Sequence, residues 1–245
     1  MGTVKKAVFN WSGGKDSALS LYYLLRKKEY DVRYLLTSVN KEFNRISMHG
    51  VRMELLRRQA RSIGIPLHAL MVPEMPSMAI YDDLMAKTLA VFKQEGIDYA
   101  VFGDIFLEDL KLYRQRQLAK VPMQGMFPIW KIPSLDLVRE FIDLGFKAVM
   151  VCVDEKCLDK SFAGRLIDDR LVKDLPKDVD PCGENGEYHS FVYDGPIFRE
   201  PVPFALGEVV HRDYQLAGNL ANDVCPGITT TKIRTGFWYQ DLLPE

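Results

Sequence analysis

Short runs of β-branched and aromatic residues alternate, over the first 130 residues, with stretches whose apolar positions recur at helical spacing. Lys5–Asn10, Val32–Val39, Pro66–Val72, Tyr99–Gly103 and Gly125–Trp130 read as strands. Between the first two, Ala18, Leu21, Tyr22 and Leu25 share one helix face, and Arg26, Lys27 and Lys28 close the last turn, where cations complement the helix dipole. Val51–Ile63 stops at Gly64, and Met78–Gln94 stops near Gly96. Strands interleaved with helices imply parallel crossovers and a sheet covered on both faces, so the pattern predicts a doubly wound α/β sheet. Ligands of such sheets bind beyond the carboxyl ends of the strands, which is where the chain from Ser12 follows the first strand.

The pattern changes after Trp130. A helix from Ser134 carries Leu135, Val138, Phe141 and Ile142 to Gly145, and the very apolar strand Phe146–Val153 follows. A boundary near Lys131 would divide residues 1–130 from a smaller α+β part, residues 131–245. Pro, Gly and Asp become dense from Pro176, Ser190–Val210 looks extended, and Lys232–Leu242 shows no strong periodicity. There is no internal repeat and no low-complexity tract.

Composition narrows the class. Of 245 residues, 47% are hydrophobic and 27% charged, which excludes a disordered chain and points away from a membrane protein. A net charge of −1 argues against a broad nucleic-acid surface, and Arg52, Arg57, Arg58 and Arg61 read as a solvated helix face. The start, Met1 to Lys6, leads into a short apolar run, so the expectation is a cytoplasmic protein with no signal peptide or spanning helix. The four cysteines are too few for a disulfide scaffold. Cys152 and Cys157 lack Cys-x-x-Cys spacing, so all four read as buried or incidental thiols. Met71, Met75, Met78, Met123 and Met126 read as gap-filling core. Tyr113, Arg114 and Arg116 read as solvated, and His68 and His211 receive no role.

Chemistry concentrates first at Ser12-Gly13-Gly14-Lys15-Asp16-Ser17. A strand, this loop and then a helix gather backbone N–H groups and a helix N-terminus around one point, which attracts phosphate. Gly13 and Gly14 permit positive φ and close approach, Ser12 and Ser17 offer hydroxyls, and Lys15 can neutralise developing charge. Asp16 either orients the loop or holds magnesium. A Walker A loop would need Gly where Phe9 stands and Ser or Thr where Asp16 stands, so γ-phosphate chemistry is not indicated. The string resembles the signature of the PP-loop, or N-type ATP pyrophosphatase, superfamily. That resemblance implies a Rossmann-like, HUP-type sheet and cleavage of ATP between its α- and β-phosphates to adenylate a substrate.

The second concentration is Asp180-Pro181-Cys182-Gly183-Glu184-Asn185-Gly186-Glu187-Tyr188-His189. Its glycines allow a tight loop that could aim Glu184, Glu187 and His189 at a substrate or at Mg²⁺. His189 suits a general base, and a carboxylate could hold ammonium. By spacing alone, a plain turn in which Glu184 caps backbone groups is an equal alternative.

With Phe191-Val192-Tyr193-Asp194-Gly195-Pro196-Ile197-Phe198 after it, this decamer resembles the diphthine–ammonia ligase family. Ser47-Met48-His49-Gly50, Gly103-Asp104-Ile105, Pro128-Ile129-Trp130 and Gly145-Phe146-Lys147-Ala148 extend the likeness over nearly the whole chain. The resemblance implies an ATP-dependent, amide-forming ligase with ATP and Mg²⁺ as cofactors. A carboxylate, in the family diphthine on elongation factor 2, is activated as an acyl-adenylate and attacked by ammonia. Its implied catalytic residues are Lys15, Glu184, Glu187 and His189. Its implied nucleotide site is Ser12 to Ser17 with His49, Gly103 and Asp104, and Asp16 is the metal candidate. Another carboxylate, thiolation of a nucleobase, a non-catalytic ATP- or AMP-binding module and a homo-oligomer stay open.

Overall fold

A computed structural model describes residues 4–215 and 234–245. Its first half contains β1 (Lys5–Asn10), α1 (Lys15–Lys27), β2 (Tyr30–Asn40), β3 (Arg45–Ile46), α2 (Met53–Ile63), β4 (Leu67–Val72), α3 (Met78–Gln94), β5 (Tyr99–Val101), α4 (Glu108–Ala119) and β6 (Gln124–Met126). The parallel strands lie in the order β4-β2-β1-β5-β6. The chain winds outward from β1 in one direction and then, from β5, in the other, so the crevice between β1 and β5 is the switch point where such sheets bind ligands.

Alternation along β1 assigns the faces: Ala7 and Phe9 enter one core with Ala18 and Leu21 of α1 and Leu55 and Leu56 of α2, while Val8 enters another with Leu89 and Phe92 of α3 and Leu118 of α4. β3 pairs antiparallel with Val39 and Asn40 of β2, two residues that pair with β4 as well. A strand has only two edges, so β3 lies on the β1 side of β2, beyond the carboxyl end of β1.

The second half contains α5 (Ser134–Asp143), β7 (Lys147–Asp154), α6 (Asp169–Asp174), β8 (Tyr188–Asp194), β9 (Phe204–Gln215) and β10 (Arg234–Pro244). Its four strands form an antiparallel sheet in the order β8-β7-β10-β9. Val149, Val151 and Phe191 of this sheet belong to the same core as α1 and α2. No helix among the described residues is long and apolar enough to cross a membrane.

Several expectations need correction. The fifth predicted strand ends at Met126, because the chain turns through Pro128 to Lys131, whose φ is 60°. β5 likewise ends at Val101, two residues early. Ser190–Val210 is two strands broken by a turn holding Gly195, Pro196, Pro201 and Pro203. The aperiodic segment from Arg234 is a long inner strand; its buried positions include Gly236 and Gln240, so hydrophobic alternation never shows. On α1, Leu24 is buried rather than Leu25.

Met71, Met75 and Met78 are exposed, not core. Arg52 joins Arg45 in gripping Asp241 at 2.6 and 2.8 Å, and Arg58 bonds the backbone of Glu245, so only Arg57 and Arg61 fit a solvated face. His211 has a partner, Glu155, at 2.7 Å. Cys152, Cys157 and Cys182 are free thiols, while Cys225 and residues 216–233 lie outside the described residues.

Candidate active site

The loop after β1 leads directly into the N-terminus of α1. Gly13 has a φ of +79°, and Gly14 precedes α1 in an extended conformation with no side chain capping the helix. The Ser12 and Ser17 hydroxyls are 2.7 Å apart, and Ser12 Oγ also accepts from the Gly14 N–H at 3.2 Å. Two hydroxyls thus lie against the first turn of a helix whose N-cap has no side chain, an arrangement of the kind that can bind phosphate. Gly103, just past β5, packs closely on the first turn of α1: a Cβ there would lie 3.1 Å from the Ser17 nitrogen, so a side chain would push the helix start away by a few tenths of an ångström.

Behind the loop sits Gln59, fully buried on the apolar side of α2. It accepts from Trp11 Nε1 at 3.0 Å and donates to the carbonyls of Gly13 and Val192 at 3.0 and 2.6 Å. Val192 N–H donates to the same Gly13 oxygen at 2.9 Å, and the Lys15 N–H donates to Ser190 Oγ at 3.1 Å. The first strand of the second sheet in space, β8, therefore holds the phosphate loop from the outside. Gln59 escaped the sequence reading; its signal was a glutamine at apolar spacing with Leu55, Leu56 and Ile63.

Lys15 does not face the phosphate space. Its side chain is 2% exposed, and Nζ donates to both Asp16 oxygens at 2.7 Å and to the Cys182 carbonyl at 2.5 Å. Burial opposes its charge, but Asp16 first, with Cys182 and Tyr188, holds the ammonium well above the usual lysine range. Asp104 is also committed, to a bidentate pair with Arg114 at 2.6 and 3.0 Å. Arg114 is thereby not the solvated residue expected of it, and Tyr113 bonds Asp82.

The two glutamates of the second loop part company. Glu187 is 5% exposed, and its oxygens accept from the Asp180 and Asn185 N–H groups at 3.0 and 2.9 Å and from Asn185 Nδ2 at 3.0 Å. It holds its own loop in shape. Glu184 reaches across to the first sheet, where Oε1 accepts from the Ile105 N–H at 2.7 Å. Burial pushes its carboxyl up to about 7, aided by Asp16 and Asp104 and opposed by the Ile105 N–H and Lys15.

His189, at the start of β8, packs against His49 with ring centroids 4.4 Å apart. Burial, with the Lys15 charge nearby, pushes His189 down to about 4. His49 lies well below the usual imidazole range through burial first, then His189 and Lys15, with Ser47 working in the opposite direction. The fold thus brings Ser12, Gly13, Gly14, Ser17, Gly103, His49, His189 and Glu184 around the start of α1. It turns the side chains of Lys15, Asp104 and Glu187 toward other partners.

A doubly wound sheet with Ser-Gly-Gly-Lys-Asp-Ser at its switch point defines an α/β protein of the PP-loop class. Residues 4–124 match the Diphthamide synthase N-terminal domain and residues 133–214 the Diphthamide synthase C-terminal domain. The chain belongs to the diphthamide synthase family. The diphthine–ammonia ligase of Mus musculus is 25% identical over 223 residues, covering 81% of this chain and 82% of that protein. The diphthine–ammonia ligase of Homo sapiens is 26% identical over 134 residues, covering 53% of this chain and 50% of that protein. This chain's match therefore spans half the length of the human relative. Among solved structures, the U34-tRNA thiolase NcsA from Methanococcus maripaludis, with its [4Fe-4S] cluster, has a TM-score of 0.38 and 19% identity, covering 58% of this chain and 57% of that one.

Proposed function

We infer that this chain is an ATP-dependent, amide-forming ligase of the diphthine–ammonia ligase type, with diphthine on elongation factor 2 as the leading candidate acid. In this reading residues 1–130 bind ATP and residues 131–245 the acid. The observation that carries it is the anchoring of the second signature loop on the nucleotide sheet: Glu184 bonds the Ile105 N–H at 2.7 Å, just beyond β5, the strand beside the one that leads into Ser12–Ser17. One titratable carboxyl thus stands beside the place where the phosphates would lie.

The substrate carboxylate attacks the α-phosphorus, the bond from that phosphorus to the bridging oxygen breaks, and pyrophosphate leaves from the loop Ser12–Ser17. Ammonia then attacks the acyl carbon, the acyl–phosphate oxygen bond breaks, and AMP leaves. The nitrogen must shed one proton in this second step. Glu184, titrating at about 7, is matched to accept it near neutral pH. His189, at about 4, is a weaker base there and serves instead as a neutral hydrogen-bonding group.

Asp16 has the hard oxygen donors that Mg²⁺ prefers, although both its oxygens face Lys15. Bound with the phosphates, Mg²⁺ would neutralise charge on the departing pyrophosphate. Sulfur transfer finds no support among the described cysteines: burial raises the Cys152 thiol to about 12 and raises Cys182 further, away from the reactive thiolate.

The test is product analysis with Mg-ATP, ammonium and diphthine-bearing elongation factor 2. AMP, pyrophosphate and the amide in equal amounts are expected. AMP without the amide would keep adenylation and send the search to other acids. No exchange of labelled pyrophosphate into ATP with any acid would end the adenylation reading.

A further inference from the structure

His49 and His189 arrive at the phosphate loop from unrelated parts of the chain, the turn after β3 and the start of β8. Their rings lie 4.4 Å apart at 33°. His49 Nε2 is 3.4 Å from the point where a side chain on Gly14 would begin, so this ring edges the mouth of the loop. On the same ring, Nδ1 is enclosed and has no hydrogen-bond partner among the described residues. An enclosed polar nitrogen without a partner is a structural cost that a ligand can remove.

The charged and titratable groups near the pair come from three elements: Lys15, with Asp16 beside it, from α1; Cys152, which pairs with His189 in register, from β7; and Tyr239, which lies against Gly50, from β10. The Ser47 carbonyl, in the turn of His49 itself, is a neutral group that favours charge on that ring. Burial weighs first on both rings; after it the Lys15 ammonium bears on His189, while at His49 the neighbouring His189 outweighs Lys15, since two imidazolium ions in contact would repel each other. Without ligand the pair is therefore neutral. A polyphosphate in the loop reverses the sign of the local field and makes room for one positive charge, but not for two.

We propose that His49 and His189 receive the nucleotide's phosphates as one proton-sharing pair, which takes up a single proton from solvent when the triphosphate binds and returns it when pyrophosphate leaves. The net reaction is unchanged, since the proton enters and departs with the anion. The proposal rests on the reading of Ser12–Ser17 as a nucleotide site and adds to it the recognition of a fully ionised polyphosphate by a cation formed on demand.

The test is calorimetric titration of the whole protein with Mg²⁺ and an ATP analogue methylene-bridged between its α- and β-phosphates, in buffers of low and high ionisation enthalpy. At about pH 7, uptake approaching one proton per bound analogue is expected. His49→Gln and His189→Gln should each remove most of that uptake and weaken binding about tenfold, the loss of one charge-assisted contact. Histidine ring signals of the unaltered protein give a second measurement that requires no variant to fold: adding inorganic pyrophosphate should move the pair's titration from acid pH toward neutrality. Binding with no proton uptake, or uptake that survives both substitutions, overturns the proposal and leaves the nucleotide site standing. No binding of the analogue at all overturns the nucleotide reading and the proposal with it.

Discussion

The loop Ser12–Ser17 and the loop Asp180–His189 press against each other, yet they satisfy their polar groups in opposite ways. In the first, the two serine hydroxyls bond each other, and the N-cap of α1 is a glycine with no side chain to cap the helix. Among the described residues, only the Lys15 N–H of the first turn has an outside side-chain partner, Ser190 Oγ, so the Asp16 and Ser17 N–H groups are left for a ligand. In the second, Glu187 gathers the N–H groups of Asp180 and Asn185, Asp180 gathers those of Cys182 and Glu184, and the Tyr188 hydroxyl bonds the Pro181 carbonyl. One loop is open to a ligand; the other is a self-contained scaffold from which Glu184 is projected. A cluster of acidic residues is therefore not a cluster of equivalent acids, because a carboxylate that already accepts several N–H groups of its own loop is held in place and has fewer lone pairs left for chemistry.

Four substitutions would break or sharpen this contrast. The largest effect belongs to Lys15→Ala, which leaves the partly buried Asp16 without its partner and releases the Cys182 carbonyl. Removing the buried member of such a pair costs about 2–4 kcal/mol, below the full cost for a pair buried at both ends, read as a fall in thermal midpoint. An unchanged midpoint with lost ATP affinity would mean that Lys15 is a phosphate ligand after all.

Glu184→Gln should slow amide formation about a hundredfold or more while sparing nucleotide binding. With free ammonia held constant, the rate of the unaltered protein should rise as pH passes through about 7, because the base is the ionised form, and the variant should lose that limb. The stability effect has the opposite sign. A carboxyl whose folded pKa is raised contributes stability below its unfolded value and loses it as pH climbs through 7, so above pH 7 the variant should be the more stable protein by about 1–3 kcal/mol.

Glu187→Gln should do the reverse: a loss of about 1–3 kcal/mol from weakened buried hydrogen bonds, with activity falling only as far as the loop loosens. Equal midpoints for both glutamate variants would erase the distinction.

The smallest effect is expected away from the loops, at Asp241. Burial pushes its carboxyl up, but hydrogen bonds from Arg52 and Arg45 prevail and hold it at about 2. A depressed folded pKa contributes stability above the unfolded value near 4 that is lost as pH falls through about 2, so Asp241→Asn should cost about 1–2 kcal/mol at neutral pH and only a small fraction of that at pH 2, read by denaturant titration.

What the chain declares along its length is what local physics controls. Periodicity placed α3 at its observed bounds and α2 at its observed end, though its start came two residues late, at Met53, and β1 followed by Ser12–Ser17 was legible as a strand–loop–helix because strand, glycines and helix start are contiguous. Glu184 and His189 were legible as chemistry-bearing types in a glycine-framed segment, but their roles were not. Whether Lys15 or Asp104 meets a phosphate depends on Cys182 and Arg114, and whether Glu184 or Glu187 is available depends on which N–H groups lie near each.

Gln59 could be fastened to Gly13 and Val192 only after α2 and β8 had packed around the loop, and His49 could meet His189 only because β3 folds beyond the carboxyl end of β1. Sequence determined most of the elements and the strand–loop–helix at Ser12–Ser17, since both rest on neighbours in the chain. Tertiary structure alone decided the partners of most ionisable side chains, because charge and proton affinity depend on burial and on groups far away in the chain, as Cys182 is from Lys15.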